Sequence, residues 1–250
     1  MRHGSLAIEG QSDTGRAPLV VAHRGAWRPA PQNSLEAFEE AVQLGCDAVE
    51  LDVRRTLDGR VVVVHDARSG IRPIAKLTHQ ELQGRARHRH APALEEVLEL
   101  VAGRIGVDLE LKEDGYVEQA MAIVKRRLAP EQYVVTSFRD SVLPTVKRSA
   151  PAVRTGLLLS PNRQIGRLPR RVAATKVDFL APHARLARAG VLTWAAAREL
   201  PSWVWTVNDR RALRLLSQDP RVAAVITDRP DRALGEQQRS TASIAAFTNS

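Results

Sequence analysis

Short β-rich runs alternate with amphipathic helical segments along 250 residues, which predicts an α/β fold, a (β/α)8 TIM barrel with a β-hairpin excursion after the second strand. Three observations carry this expectation. About eight β-rich runs are separated by helical segments, as parallel crossovers require. The length suits one large core of barrel size. Asp58-Gly59 lies between two β-rich runs, a strong hairpin signal, so one run returns antiparallel and leaves the parallel count. An open doubly wound sheet is the alternative. It usually carries a Gly-rich phosphate turn after its first strand, and His23-Arg24-Gly25 is not one.

In chain order, residues 1–18 read as a polar, mobile leader, 19–232 as the barrel and 233–250 as a mobile tail. Leu19 to His23 is a short strand, and Gly25 after it allows a sharp turn or a close backbone approach. Leu35 to Val42 has helical apolar spacing, with Asn33 or Ser34 as its cap and Gly45 closing it. Asp47 to Val53 is the second strand. Val61 to Val64 returns antiparallel about Asp58-Gly59, which sets Asp52 close to His65. Ile71 to Pro92 is a polar connection with a helical turn or two at Thr78 to Leu82. In it His88 and His90 read as a solvated loop rather than a metal site.

Beyond Pro92 helices are expected at Leu94–Val101, Val117–Leu128, Ser141–Arg148, Ile165–Ala174, Ala184–Leu200 and Arg210–Ser217. Strands are expected at Gly106–Leu111, Tyr133–Ser137, Arg154–Leu159, Asp178–Ala181, Trp203–Val207 and Ala224–Thr227.

The chain carries a net charge of +9 and a sequence pI near 10.6, which favours anionic partners without naming them. Its arginines are scattered rather than blocked and aromatics make up 4%, so a nucleic-acid surface is not expected. Cys46 is the single cysteine, so no intrachain disulfide is possible and a reducing, cytoplasmic setting is the default. No run of eighteen apolar residues occurs, so no membrane span is expected.

A barrel places its active site at the C-terminal ends of its strands, which makes the candidates there easy to name. Glu50 and Asp52 are two apart on one strand and share a face, an unfavourable juxtaposition unless a cation, a shared proton or bulk water relieves it. A solvated strand edge is the plain alternative. In Val107 to Lys112 the apolar residues take one face, and Asp108, Glu110 and Lys112 the other. Glu50, Asp52 and Glu110 converging from neighbouring strands would make a hard oxygen site suited to one Mg²⁺ or Ca²⁺ ion. Arg24 and Lys112 add cationic donors fit for phosphate.

The strings His23-Arg24-Gly25, Pro31-Gln32-Asn33-Ser34-Leu35, Glu50-Leu51-Asp52-Val53, Thr56-Leu57-Asp58-Gly59, His65-Asp66, Glu110-Leu111-Lys112, Ser137-Phe138, Trp205-Thr206-Val207-Asn208 and Thr227-Asp228-Arg229-Pro230 resemble the glycerophosphodiester phosphodiesterase family, from Leu19 to Asp231. The resemblance implies a barrel with an excursion after its second strand, one divalent cation and two catalytic histidines. It implies His23 and His65 as the acid/base pair, Glu50, Asp52 and Glu110 as metal ligands, and Arg24 and Lys112 as phosphate binders. Trp205 is the candidate to cover the apolar side of the substrate's glycerol, with Phe138 a weaker one. The substrate would be a small glycerophosphodiester, hydrolysed to glycerol 3-phosphate and an alcohol.

Two departures stand out. Gln32 occupies a position where the family usually has glutamate. The segment Ala67-Arg68-Ser69-Gly70-Ile71 after Asp66 is a contracted version of a longer one. That contraction favours, as an alternative, a lysophospholipase D- or sphingomyelinase D-like headgroup hydrolase on the same barrel. A non-catalytic anion-binding barrel is the second alternative.

Overall fold

In the structure, a computed structural model, residues 17–28, 30–161 and 165–238 are described. Of the expected leader, residues 1–16 lie outside this range, as do residues 239–250 of the expected tail. Eight strands form the barrel: β1 (Leu19–His23), β2 (Ala48–Arg55), β3 (Gly106–Leu111), β4 (Tyr133–Ser137), β5 (Arg154–Leu159), β6 (Phe179–Pro182), β7 (Ser202–Val204) and β8 (Val222–Thr227). Each pairs in parallel with the next, and β1 pairs with both β8 and β2, closing the sheet.

Side chains two apart on a strand share a face, and in this barrel the two faces differ in chemistry. Outward residues such as Val49, Leu51 and Val53 pack with Phe38, Leu94, Val97 and Leu98 from the surrounding helices. Inward residues Val21, Ala48, Val134, Leu158, Phe179, Ala181, Trp203 and Ala224 fill the barrel interior. On β2 and β3 the inward series then turns polar, Ala48 giving way to Glu50 and Asp52, and Gly106 to Asp108 and Glu110. The register sets Asp52 opposite Glu110 and Glu50 opposite Asp108. Among the barrel's neighbouring strands, β2 and β3 therefore bring carboxylates to one end of the interior.

The hairpin after β2 forms, in a register one residue away from the expected one. Val53 pairs with Val63 and Arg55 with Val61. A two-residue Asp58-Gly59 turn would have set Asp52 opposite His65. Instead Thr56 N–H donates to the Arg60 carbonyl at 2.9 Å, leaving Leu57, Asp58 and Gly59 as a three-residue loop with Gly59 at φ +79°. The Thr56 hydroxyl reinforces it, donating to Asp58 Oδ1 at 2.6 Å and accepting from Arg60 N–H at 3.1 Å. Val64 N–H consequently meets the Asp52 carbonyl at 2.8 Å, and His65 follows it.

Three other expectations change. The segment from Ile71 to Pro92 forms its expected helical turns at His79–Gln83, capped reciprocally by Thr78 and Glu81, but it is more than a polar connection, since it buries Ile74, Leu77 and Leu82 against Val62 and Val64. Ala184 to Leu200 is not one helix, because Gly190 at φ +96° breaks it before Leu192–Ala196. Residues 230–238 are helical, with Ala233 and Glu236 buried, so the expected tail begins at least six residues too early. Glu236 accepts from Arg214 Nε at 3.0 Å, an ion pair that holds this segment to the helix Arg210–Ser217. No helix among the described residues is long and apolar enough to cross a membrane.

Candidate active site

The turn after β1 is shaped by backbone conformation. Gly25 has φ +81°, and a Cβ there would come within 2.7 Å of the backbone of Ala37. Arg24 and Asn33 are also left-handed, at φ 59° and 58°, and are tied together by Asn33 N–H donating to the Arg24 carbonyl at 2.9 Å. This turn delivers three groups to the acids. Arg24 N–H donates to Glu50 Oε2 at 3.0 Å, Arg24 Nε lies 3.1 Å from Asp52 Oδ2, and Asn33 Nδ2 donates to the same oxygen at 2.8 Å.

Glu50, Asp52 and Glu110 each place a carboxylate oxygen within 4.8 Å of the others, and all three are buried. The ammonium of Lys112 lies 2.6 Å from Asp52 Oδ1 and 2.6 Å from Glu110 Oε1. Burial raises the pKa of Glu50 well above the usual carboxylate range, helped by the charges of Asp52 and Glu110. Glu110 is also raised by burial, against the pull of Lys112. Burial pushes Asp108 up to about 7 although Thr136 donates to it at 2.7 Å. Asp52 shows the opposite outcome: burial would raise it, but Lys112 and Arg24 outweigh that and hold it well below normal. A cluster with this much unrelieved negative charge is short of cations. Glu50 Oε1, buried without a hydrogen-bond partner among the described residues, is the clearest sign, and three carboxylates of this kind fit a hard divalent ion.

His23 ends β1 opposite Glu50. Its Nδ1 lies 2.7 Å from Asp228 Oδ1, while Nε2 lies 3.9 Å from Glu50 Oε2. Burial would raise Asp228, but its bond to His23, with those from Asn208 and Trp27, brings it down to about 2. It is therefore ionised at neutral pH, so His23 Nδ1 carries the shared proton and Nε2 is left to act on a ligand. His65 is placed by the hairpin. Arg54 Nε and Nη2 each donate to the His65 carbonyl at 3.0 Å, and Arg54 also pairs with Glu113. The His65 Nδ1 lies 3.2 Å from Asp66 Oδ1, and burial lowers the ring's pKa.

A cavity of about 200 Å³ joins these groups, lined by His23, Arg24, Glu50, His65, Glu110 and Lys112 together with Phe138 and Trp205. Asp52 lies beneath, fully covered. Trp205 is fixed by Nε1 donating to the Ala181 carbonyl at 2.7 Å and by an edge contact with Phe138, ring centroids 5.4 Å apart. Every residue expected at the site from the sequence thus lies in or directly under one cavity. Of the other strand-end residues, Ser137 donates to the Leu111 carbonyl at 2.7 Å, and the His183 ring stands edge-on to Trp205. Sequence reading missed the roles of Asp228, Asn33 and Asn208. The closing of β8 onto β1 puts the residue after Thr227 beside His23.

Residues 23–232 match the model of the glycerophosphoryl diester phosphodiesterase family. A glycerophosphodiester phosphodiesterase of Caldanaerobacter subterraneus is 32% identical over 160 residues, 56% of this chain and 66% of that protein. Among solved structures, the glycerophosphodiester phosphodiesterase of Thermotoga maritima superposes with a TM-score of 0.74 at 26% identity, over 89% of this chain and 99% of that one. A phosphodiesterase of Oleispira antarctica, solved with the product sn-glycerol-3-phosphate, superposes with a TM-score of 0.77 at 25% identity, covering 89% of this chain and 97% of that one. With a family match spanning nearly the whole barrel, and a fold and polar barrel mouth to go with it, the chain belongs to the glycerophosphoryl diester phosphodiesterase family.

Proposed function

We propose that this protein hydrolyses glycerophosphodiesters to glycerol 3-phosphate and an alcohol, using one divalent cation and two histidines. The observation that carries the reading is the convergence of Glu50, Asp52 and Glu110 within 4.8 Å, with His23 and His65 lining the cavity above them. The Oleispira relative's glycerol 3-phosphate complex supports the same product class.

Glu50, Asp52 and Glu110 would hold the cation, with Mg²⁺ and Ca²⁺ both suited to such oxygen donors. When bound, the ion would offset charge on the phosphoryl oxygens as it builds toward the transition state. Arg24 and Lys112 carry fixed positive charge at the cavity wall and would bind the phosphate there. Water's oxygen forms the new bond to phosphorus and the bond to the alcohol oxygen breaks. One imidazole takes the proton that water loses, and the other gives a proton to the departing oxygen. Asp228 holds His23 in the tautomer that leaves Nε2 free for this, and Asp66 faces His65 Nδ1 in the same way. Trp205 and Phe138 offer an apolar wall for the glycerol carbons.

Cys46 takes no part. It is buried, and burial pushes its thiol up to about 12, which leaves it inert and compatible with the cytoplasmic setting we expect. The lysophospholipid or sphingophospholipid alternative and the non-catalytic one draw no support from the relatives described above. The test is release of glycerol 3-phosphate from a panel of glycerophosphodiesters with Mg²⁺ or Ca²⁺. Release that stops with EDTA is expected; no release from any member of the panel would overturn the reading.

A further inference from the structure

Beside the inner cavity lies a larger groove of about 600 Å³, and His65 lines both. Its walls come from the turn after β1 and from the segment that follows the hairpin. Trp27 and Arg28 stand on one side, Arg87 and His88 on the other. Because the two share His65, a diester whose glycerol phosphate fills the inner cavity can extend past His65 into this groove.

The electrostatics of the groove are one-sided. Asp66 is the only carboxylate among its described lining residues, and it is already engaged, by Arg87 Nη2 at 2.9 Å on one oxygen and His65 Nδ1 at 3.2 Å on the other. Gln32, neutral, has its carbonyl oxygen taken up by Arg24 Nη1 at 2.7 Å. Arg28 forms no ion pair among the described residues and lies over the Trp27 ring, 4.5 Å from its centroid. That face of Trp27, the feature best able to hold a quaternary ammonium, already carries a cation.

A second observation points the same way. His88 is 5% exposed and lines the groove, yet its buried Nε2 has no hydrogen-bond partner among the described residues. A polar atom left so is expected to meet a ligand or water.

Resting on the phosphodiesterase reading, we infer that this groove receives the leaving alcohol and selects one that carries a second phosphate group, with Arg28, Arg87 and His88 as its contacts. Cationic alcohols such as choline are disfavoured by the same field. The Arg28 and Arg87 guanidiniums are exposed and long enough to adjust to a phosphate, and charge-assisted bonds to phosphate are the strong ones.

The experiment compares kcat/KM for three diesters at one metal concentration: glycerophosphocholine, glycerophosphoglycerol and bis(glycerophospho)glycerol. Their leaving alcohols are cationic, neutral and phosphate-bearing. After halving for its two equivalent ends, bis(glycerophospho)glycerol is expected to exceed glycerophosphoglycerol about tenfold, with the choline ester lowest. Arg28→Gln and Arg87→Gln should each shrink that ratio, and added salt should too. The ratio rather than either rate is the readout, because Arg87 also holds Asp66 beside His65. A ratio within twofold of one, a preference for the choline ester, or a ratio that survives both substitutions would overturn the inference while leaving the phosphodiesterase reading intact. Failure to turn over any of the three would remove both.

Discussion

The ammonium of Lys112 lies 2.6 Å from Oδ1 of Asp52, a largely covered cation against a fully buried carboxylate. With Arg24 on the other oxygen, Lys112 is what keeps Asp52 ionised beside two acids that burial makes reluctant to ionise. Lys112→Met should therefore lower stability by about 3–5 kcal/mol, the usual result of stripping one partner from a buried pair. Urea denaturation measures it. Added Mg²⁺ or Ca²⁺ should recover part of the loss by restoring positive charge at the cluster, and an unchanged midpoint without metal would contradict this account.

Metal should also stabilise the unaltered protein. At one hundred times its dissociation constant, a divalent ion bound only by the folded chain adds about 2.7 kcal/mol, seen as a rise in Tm that EDTA reverses. Glu50→Gln removes a donor whose Oε1 has no other partner among the described residues, and should weaken both the rise in Tm and the activity. Equal Tm shifts in the two proteins would place the ion elsewhere.

His23→Ala and His65→Ala should each reduce kcat by about 10²–10⁴ if the rings move protons. Neither is among the three acids, so the metal-dependent rise in Tm should persist in both. Retained activity in either variant would exclude that ring from the chemistry.

Asp228 gives a pH signature. Its folded pKa, about 2, lies below its ordinary 3.8 because His23 favours the charged form. The unfolded chain therefore binds the proton first, and the stability contributed is complete above 3.8 and lost as pH falls from there to about 2. Asp228→Asn should lack this acid step when urea midpoints are compared across pH. It should also lower kcat, since asparagine can present a donor to Nδ1 and stabilise the wrong tautomer.

Gly25→Ala should cost about 1–3 kcal/mol from the left-handed backbone alone, before the contact with Ala37 is counted. Gly59→Ala, with open space around its Cβ, is the control and should cost less. Comparable urea midpoints for the two would mean the turn after β1 yields easily.

The barrel and its acids were legible because both depend on short-range patterns. Glu50, Asp52 and Glu110 interrupt inward-facing apolar series of period two, and a polar residue in such a place calls for a partner. The one-residue error in the hairpin came from Thr56, whose hydroxyl closes a three-residue loop that the Asp58-Gly59 pair does not announce. His88, read as part of a solvated loop, is buried, and the same segment's Ile74, Leu77 and Leu82 join Val62 and Val64 in a small core, at spacings too irregular to announce a packed face. Asp228 could be placed at a strand end but not assigned to His23, since the two are 205 positions apart and meet only when the sheet closes.

That closure has a consequence for how the protein is made. A nascent chain still lacking β8 carries His23, all three acids and both cationic donors, but not the carboxylate that orients the first imidazole. Within the barrel β8 is the last strand to be synthesised, so the contact between Asp228 and His23 forms with the closed barrel and not ahead of it.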